Sequence, residues 1–129
     1  MDGVIDCVAT DHAPHATSEK EGEFAEAANG IVGLETAVPL LLDRLVRPGV
    51  IDLPTLVTRM STAPARLLNL PGGSLAAGAD ADITILDLAR AWTVEPASFR
   101  SRSRNTPFAG QSGVGAPWMV LVGGVKVTP

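Results

Sequence analysis

The feature that most constrains this chain is a short apolar segment that ends in ionisable side chains. Residues 4–9 read Val-Ile-Asp-Cys-Val-Ala, and Asp11, His12 and His15 follow closely. Apolar residues at both odd and even positions would cover both faces of an extended chain, which is typical of a buried parallel strand. Pro14 disfavours helical geometry before it and directs the chain into a loop. The pattern predicts a buried strand that presents Asp11 at its carboxyl end, where active sites lie in barrel and doubly wound folds.

The next part of the chain predicts a long loop and then helices. Residues 16–33 are polar, and loops of this length in compact domains usually carry function. An apolar stripe at helical spacing then predicts a helix that ends at Pro48-Gly49, with the members Leu34, Val38, Leu41, Leu42 and Leu45. Asp52 is predicted to cap a helix over 53–60, and Thr62 a second helix over 63–68.

From Pro71 onward, the sequence becomes rich in glycine and then in strand-forming residues. Residues 81–88 begin in apolar–polar alternation, and 92–94 and 118–127 predict further strands with Gly123-Gly124 as a hairpin turn. We expect the tryptophans in these strands, Trp92 and Trp118, to lie in a core or an interface.

Composition excludes several classes of function. The chain has 129 residues, a net charge of -4 and no basic run, so it lacks the electrostatic signature of a nucleic-acid-binding protein. It has no apolar run near the roughly 20 residues of a membrane span. Its one cysteine, Cys7, cannot form an internal disulfide, and the first residues do not resemble a secretory signal. We therefore expect a cytoplasmic protein with Cys7 as a small buried hydrophobic residue.

Three motifs occur in order along the chain: T-D-H-A-P-H at residues 10–15, G-I-V-G-L-E-T at 30–36 and N-T-P-F-A-G at 105–110. Together they resemble the C-terminal third of class I dihydroorotases, which are metal-dependent amidohydrolases. The resemblance implies an α/β fold in two parts. Residues 1–70 would be the C-terminal end of an amidohydrolase TIM barrel, with its last strand, last helix, extra helices and active-site loop. Residues 71–129 would be part of a small β-sandwich.

The resemblance also implies a reaction and a cofactor. Dihydroorotases are zinc enzymes that reversibly hydrolyse the cyclic amide of (S)-dihydroorotate to N-carbamoyl-L-aspartate in pyrimidine biosynthesis. Asp11 matches the residue that binds metal and transfers the proton, as general base and then as acid. His15 matches a substrate-binding histidine. Asn29-Gly30 lies where the family offers groups to the substrate, but Asn29 departs from the usual Phe or Pro, so a backbone contact is expected there.

The remaining zinc ligands of the family, two pairs of histidines and a lysine, have no counterpart in this sequence. The only histidines are His12 and His15, and the only lysines are Lys20 and Lys126. A TIM barrel needs roughly 250 residues, so the sequence predicts a part of the enzyme that is inactive alone. Because one strand and one helix of a barrel leave apolar faces uncovered, we expect the chain to be marginally stable or to form homo-oligomers.

Two alternatives stay open on the sequence. A non-catalytic dihydroorotase-like chain could scaffold aspartate carbamoyltransferase, although such scaffolds usually lose the catalytic residues that Asp11 and His15 match. A hydantoinase or allantoinase would share the Asp-His pair, but these relatives do not normally share both the hexapeptide and the Asn-Thr-Pro-Phe segment. We expect His12 to pack or to orient neighbouring groups, and residues 101–110 to join the two parts structurally.

Overall fold

The computed structural model describes residues 3–127. Its helices are α1 (Thr17–Lys20), α2 (Ala37–Leu41), α3 (Leu53–Val57) and α4 (Ala63–Leu67), and its strands are β1 (Ile83–Thr93), β2 (Ser112–Val122) and β3 (Val125–Lys126). A π-helical segment, Leu42–Val46, continues α2, and a second one, Thr58–Thr62, joins α3 to α4. A 3₁₀ turn spans Pro96–Ser98. None of the helices in residues 3–127 is both long and apolar enough to cross a membrane.

The predicted strand at residues 4–9 is not formed. Val4 and Ile5 are 84% and 68% exposed, and Cys7 is a half-buried free thiol instead of a buried one. A backbone hydrogen bond from the Val8 N–H to the Arg59 carbonyl, 3.0 Å long, ties the segment to the helices. A parallel strand needs hydrogen-bonding neighbours on its edges, and residues 3–127 place no such strand beside it. The segment instead borders an open apolar groove of about 400 Å³.

The amphipathic helix is confirmed, with a later start. It runs through α2 and the π-helical segment to Val46, so it ends before Pro48-Gly49 as predicted. Pro39 lies in the first turn, where a missing N–H costs nothing. Leu42 of the stripe is 2% exposed, whereas Leu34 precedes the helix and is 64% exposed.

The two capped helices that the sequence predicts are one continuous helical stretch. Asp52 does cap its start, because its Oδ1 accepts a 2.8 Å hydrogen bond from the Thr55 N–H. Thr62 is not a cap: its backbone is helical, and its hydroxyl donates to the Gly73 carbonyl at 3.0 Å. The π-helical turn before Pro64 is wide, so the helix continues past the proline without the N–H that an α-turn would use.

The predicted strands form a single three-stranded antiparallel sheet in the order β1-β2-β3. The two predicted strands at 81–88 and 92–94 merge into β1, which pairs with β2 from Ile83↔Leu121 to Thr93↔Ser112 with two register shifts. Gly123 and Gly124 form the predicted turn, with φ of 54° and 80°. Trp118 is 55% exposed and therefore lies outside the core of the described residues, so of the two expected places only an interface remains for it.

A buried apolar cluster lies where the loop after residue 30 meets the end of β1. Val32, Val94 and Phe99 form it, and the half-buried rings of Trp92 and Phe108 pack against it. The buried cluster thus supports the segment that was predicted to be the active-site loop.

Asp43 joins the helical part to the sheet. Its side chain is 7% exposed, and its Oδ1 accepts from the Val114 N–H of β2 at 3.0 Å. A Cβ on Gly113 would come within 2.8 Å of the Asp43 Cγ, so the carboxylate fits only beside a glycine. Arg47 also donates to Oδ1 at 3.2 Å. The backbone hydrogen bond, followed by the contacts with Arg47 and Arg44, lowers the pKa of Asp43 below its ordinary value.

This lowered pKa predicts a loss of stability in acid. A carboxyl group whose pKa is depressed in the folded state stabilises it fully above the ordinary pKa of about 4, and the contribution disappears as the pH falls through the folded pKa. Chemical unfolding at a series of pH values should show that Asp43→Asn is less stable than the parent near neutral pH and that the difference shrinks in acid. Asp80→Asn, at an exposed position directly after a turn, is the matched control. A difference that stays constant with pH would contradict this role.

Candidate active site

The site begins at Asp11, which has an unusual backbone. Its φ is +44°, in the left-handed region where non-glycine residues other than Asp and Asn are rare. The side chain is exposed, and within residues 3–127 its carboxylate makes no hydrogen bond or ion pair. Sparsely populated backbone geometry at a free ionisable group is a feature of functional sites. The carboxylate is therefore available to a metal ion, a water molecule or a substrate.

His12 holds the turn that follows Asp11. Its Nδ1 accepts hydrogen bonds from the N–H groups of Gly33 and Leu34, at 3.1 and 3.3 Å. The proton of the neutral ring must then be on Nε2, which lies 3.4 Å from the Ser101 hydroxyl. Since both ring nitrogens face protein groups, these contacts agree with the orienting role that the sequence predicts for His12.

The structure brings His15 together with Asn29 and Gly30. The His15 Nε2 lies 2.8 Å from the Asn29 carbonyl oxygen, to which it donates as the N–H tautomer. Its Nδ1 lies 3.7 Å from the Glu19 carboxylate, on the helix α1 that interrupts the predicted loop. Thus three of the predicted site residues share one substructure, and Asp11 lies a few residues away in sequence without a side-chain contact to them in the described part of the chain.

Gly30 is required by the close packing of two loop segments. Its φ is +106°, and a Cβ there would lie 2.5 Å from the Ala13 Cβ and 3.7 Å from the His15 Nε2. Next to it, the Ala13 N–H donates to the Ile31 carbonyl at 2.9 Å, and His12 and Ile31 form a parallel bridge. The loop backbone therefore lies directly against the D-H-A-P-H turn.

Asn105 clamps the two segments, and the motifs alone did not identify it as a site residue. Its Nδ2 donates to the carbonyls of Ala13 and Gly30, at 3.0 and 3.1 Å. Its Oδ1 lies 3.4 Å from the His15 N–H, and its own carbonyl accepts from the Val32 N–H at 3.0 Å. The prediction that residues 101–110 pack structurally agrees with these contacts, but what they hold is the site itself. A side-chain amide can donate to one chain segment and accept from another at the same time. This property of asparagine is the feature of the sequence that could have identified Asn105 as a site residue.

Asp11 is the site residue that could bind a metal ion. Carboxylate oxygen is an acceptable zinc ligand, and Asp11 offers one that no protein group occupies. Among residues 3–127, no three His, Cys, Asp or Glu side chains come together as a metal site. The described residues could therefore contribute one ligand, Asp11, to a metal centre.

Comparisons with known proteins agree on the family. The sequence profile of the Amidohydrolase family matches residues 1–127. The chain is 53% identical over 123 residues to a dihydroorotase of Trichlorobacter lovleyi, which covers 95% of this chain and 29% of that protein. It is 46% identical over 127 residues to a dihydroorotase of Shouchella clausii, which covers 98% of this chain and 30% of that protein.

Solved structures of related enzymes have the same fold. An L-hydantoinase (dihydropyrimidinase) of Arthrobacter aurescens superposes with a TM-score of 0.91 at 37% identity, over 98% of this chain and 29% of the hydantoinase. A dihydropyrimidinase of Brevibacillus agri gives 0.89 at 30% identity, over 98% and 29%. The chain thus spans about three-tenths of the length of the relatives that it matches.

Proposed function

The chain belongs to the amidohydrolase family, and we propose that it supplies the proton-transferring carboxylate and the substrate loop of a dihydroorotase. The observation that carries the proposal is the assembly of His15, Asn29 and Gly30 into one clamped loop that follows Asp11 in the chain, where the Asp11 carboxylate has no protein partner among the described residues. Relatives at about half identity that are named dihydroorotase support the choice of substrate. In this proposal residues 1–70 carry the site, and residues 71–129 form the attached β-structure, from which Asn105 clamps it.

Asp11 is the proposed catalytic residue. In the hydrolytic direction its carboxylate removes a proton from the water that attacks the ring carbonyl. It returns this proton to the ring nitrogen as the C–N bond breaks, so that dihydroorotate and water give N-carbamoyl-L-aspartate. Ring closure uses the same steps in reverse. A zinc ion, when bound, would supply Lewis acidity to the carbonyl and to the water, and Asp11 would be the ligand that this chain contributes.

His15 and the Asn29-Gly30 backbone are the proposed substrate contacts. Dihydroorotate carries a carboxylate that must be bound and oriented. Within the described residues, the backbone N–H groups of Asn29 and Gly30 donate to no protein acceptor, and the two groups are therefore free to donate to an anion. The His15 Nδ1 is the remaining ring nitrogen, and it can donate when the ring is protonated.

The structural relatives favour one alternative, a hydantoinase-type cyclic-amide hydrolase. The two candidates differ in the charge of the substrate, because the dihydroorotate ring carries a carboxylate that a simple hydantoin lacks. If the site binds an anion, a neutral ring would leave its N–H donors without partners, and it would therefore bind more weakly.

Two grafts distinguish these functions. The matched segment of the Trichlorobacter lovleyi dihydroorotase is replaced by this chain, which gives the dihydroorotase graft, and the corresponding segment of the Arthrobacter aurescens hydantoinase is replaced in the same way. We expect the dihydroorotase graft to hydrolyse dihydroorotate and the hydantoinase graft to lose most of its hydantoin turnover. Efficient hydantoin turnover by the second graft together with an inactive first graft would favour the hydantoinase-type alternative.

The 129-residue chain by itself is the third sample. We expect it to bind no stoichiometric zinc and to show no turnover, because Asp11 is one ligand of a centre that needs at least three. Zinc binding with turnover by this chain alone would mean that the other ligands are assembled from it, and the proposal of a partial site would be wrong.

A further inference from the structure

Lys20, at the end of α1, makes contacts that the proposed reaction does not use. The side chain is half-buried, and its Nζ donates to the carbonyl oxygens of Ala28 and, at 2.6 Å, of Gly30. Within residues 3–127, no carboxylate lies within 4.0 Å of this ammonium group. The cation therefore binds two backbone carbonyls of the substrate loop and is not neutralised by an acidic side chain.

The carbonyls of three successive residues are held in this way. Lys20 binds those of Ala28 and Gly30, and His15 binds that of Asn29 between them. In a trans peptide the N–H points opposite to the C=O of the same unit. Fixing the Ala28 carbonyl thus fixes the direction of the Asn29 N–H, and fixing the Asn29 carbonyl fixes that of the Gly30 N–H. The orientation of both free donors is set by these two side chains.

The charge of Lys20 favours an anionic ligand, as does its effect on the direction of the Asn29 and Gly30 N–H groups. The ammonium makes the potential at residues 28–30 more positive than the glutamates of the loop alone would make it, and a half-buried position weakens the screening by solvent. An anionic ligand that binds the Asn29 and Gly30 N–H groups would be attracted by it, whereas a neutral ring would not.

We propose that Lys20 is a positioning and specificity-determining residue, which fixes the Asn29-Gly30 donors and favours cyclic amides that carry a carboxylate. This inference rests on the proposed function for its substrate, but the positioning of the loop can be tested without it. The chain offers a matched control, because its only other lysine, Lys126, lies exposed on β3.

The first test measures the loop in the full chain. Lys20→Met, Lys20→Arg and Lys126→Met are compared by hydrogen exchange of the Ala13 and Ala28 amides, whose N–H groups donate to the carbonyls of Ile31 and Glu19. They are also compared by cleavage with a glutamate-specific protease, which can cut after Glu21, Glu23 and Glu26. We expect Lys20→Met to exchange and to be cut about tenfold faster, as the loss of hydrogen bonds to a charged group implies. Lys20→Arg should be intermediate, and Lys126→Met should match the parent. Equal rates in all four proteins would overturn the positioning role.

The second test measures specificity in the dihydroorotase graft. Lys20→Met should raise KM for dihydroorotate about tenfold with kcat changed by less than about threefold, and Lys20→Arg should recover part of the loss. A fall in kcat alone, or an equal effect of Lys126→Met, would refute the specificity role. If the parent graft is inactive, the proposed function fails, and the exchange and cleavage rates still decide whether Lys20 fixes the loop.

Discussion

Replacing Asp11 by Asn in the dihydroorotase graft is expected to lower kcat for dihydroorotate by about 10³-fold or more. Removal of a general acid–base group costs roughly 10²–10⁴-fold, and the same change replaces a charged metal ligand with a neutral amide. The effect should be confined to chemistry, because Asn is one of the few residues that tolerate a φ of +44°. Steady-state kinetics in both directions measure the loss, and a melting curve checks that the fold is retained.

Asp6→Asn is the matched control for this substitution. Asp6 is exposed at 85%, and its carboxylate lies 3.9 Å from an Arg59 nitrogen as a surface ion pair. Such pairs contribute little, so kcat should stay close to that of the parent graft. Turnover by Asp11→Asn at more than about a tenth of the parent rate would exclude proton transfer by Asp11, since a neutral amide cannot accept the proton.

The sequence predicted those elements that depend on neighbours in the chain. The stripe from Val38 to Leu45 predicted a helix because its apolar face is local information, and Leu42 is indeed buried. Asp52 predicted a cap, and Gly123-Gly124 predicted a turn, because a side-chain acceptor or a positive φ belongs to one or two residues. Each of these features is specified within a few residues.

The features that failed depend on partners far away in the chain. The 4–9 segment has the composition of a buried strand, but a strand exists only when neighbouring strands accept its hydrogen bonds. Trp118 is not a core residue for a related reason, because burial requires a second layer of structure over β2; its position in an interface stays a prediction. The role of Asn105 was missed because its partners, Ala13 and Gly30, lie 92 and 75 residues away. Its importance follows from the folded backbone and not from its own motif.

In the candidate site, too, the motifs supplied the residues and the folded structure supplied the contacts between them. Asp11, His15, Asn29 and Gly30 were proposed from a motif, and the structure joins the last three through contacts that no motif contains, those of Lys20 and Asn105. A motif thus identifies the groups that could react or bind, whereas the contacts of half-buried polar side chains decide which of them act together. Both kinds of information are needed before a role can be tested.

Gly30→Ala is expected to have the largest effect on the substrate loop. A Cβ at this position would lie 2.5 Å from the Ala13 Cβ, and the residue has a φ of +106°, which alanine rarely adopts. Overpacking of this kind costs about 1–3 kcal/mol, and the backbone strain adds about 1–2 kcal/mol. We therefore expect a melting temperature lower by roughly 10 °C in the full chain and a loss of dihydroorotate hydrolysis in the dihydroorotase graft.

Gly22→Ala in the same loop separates this steric argument from a general need for flexibility. A Cβ at Gly22 would meet no other atom within 4 Å, and the residue has no positive φ, so alanine there should leave both melting and turnover unchanged. The chain can also respond to Gly30→Ala by moving the loop away from Ala13, which would relieve the clash and break the bonds to Asn105 and Lys20. In that case the melting temperature would change little, while exchange of the Ala13 amide, which donates to the Ile31 carbonyl, increases and turnover is still lost. Retained turnover with an unchanged loop would contradict the close approach of the two segments, because the loop in this position leaves no room for the added methyl group.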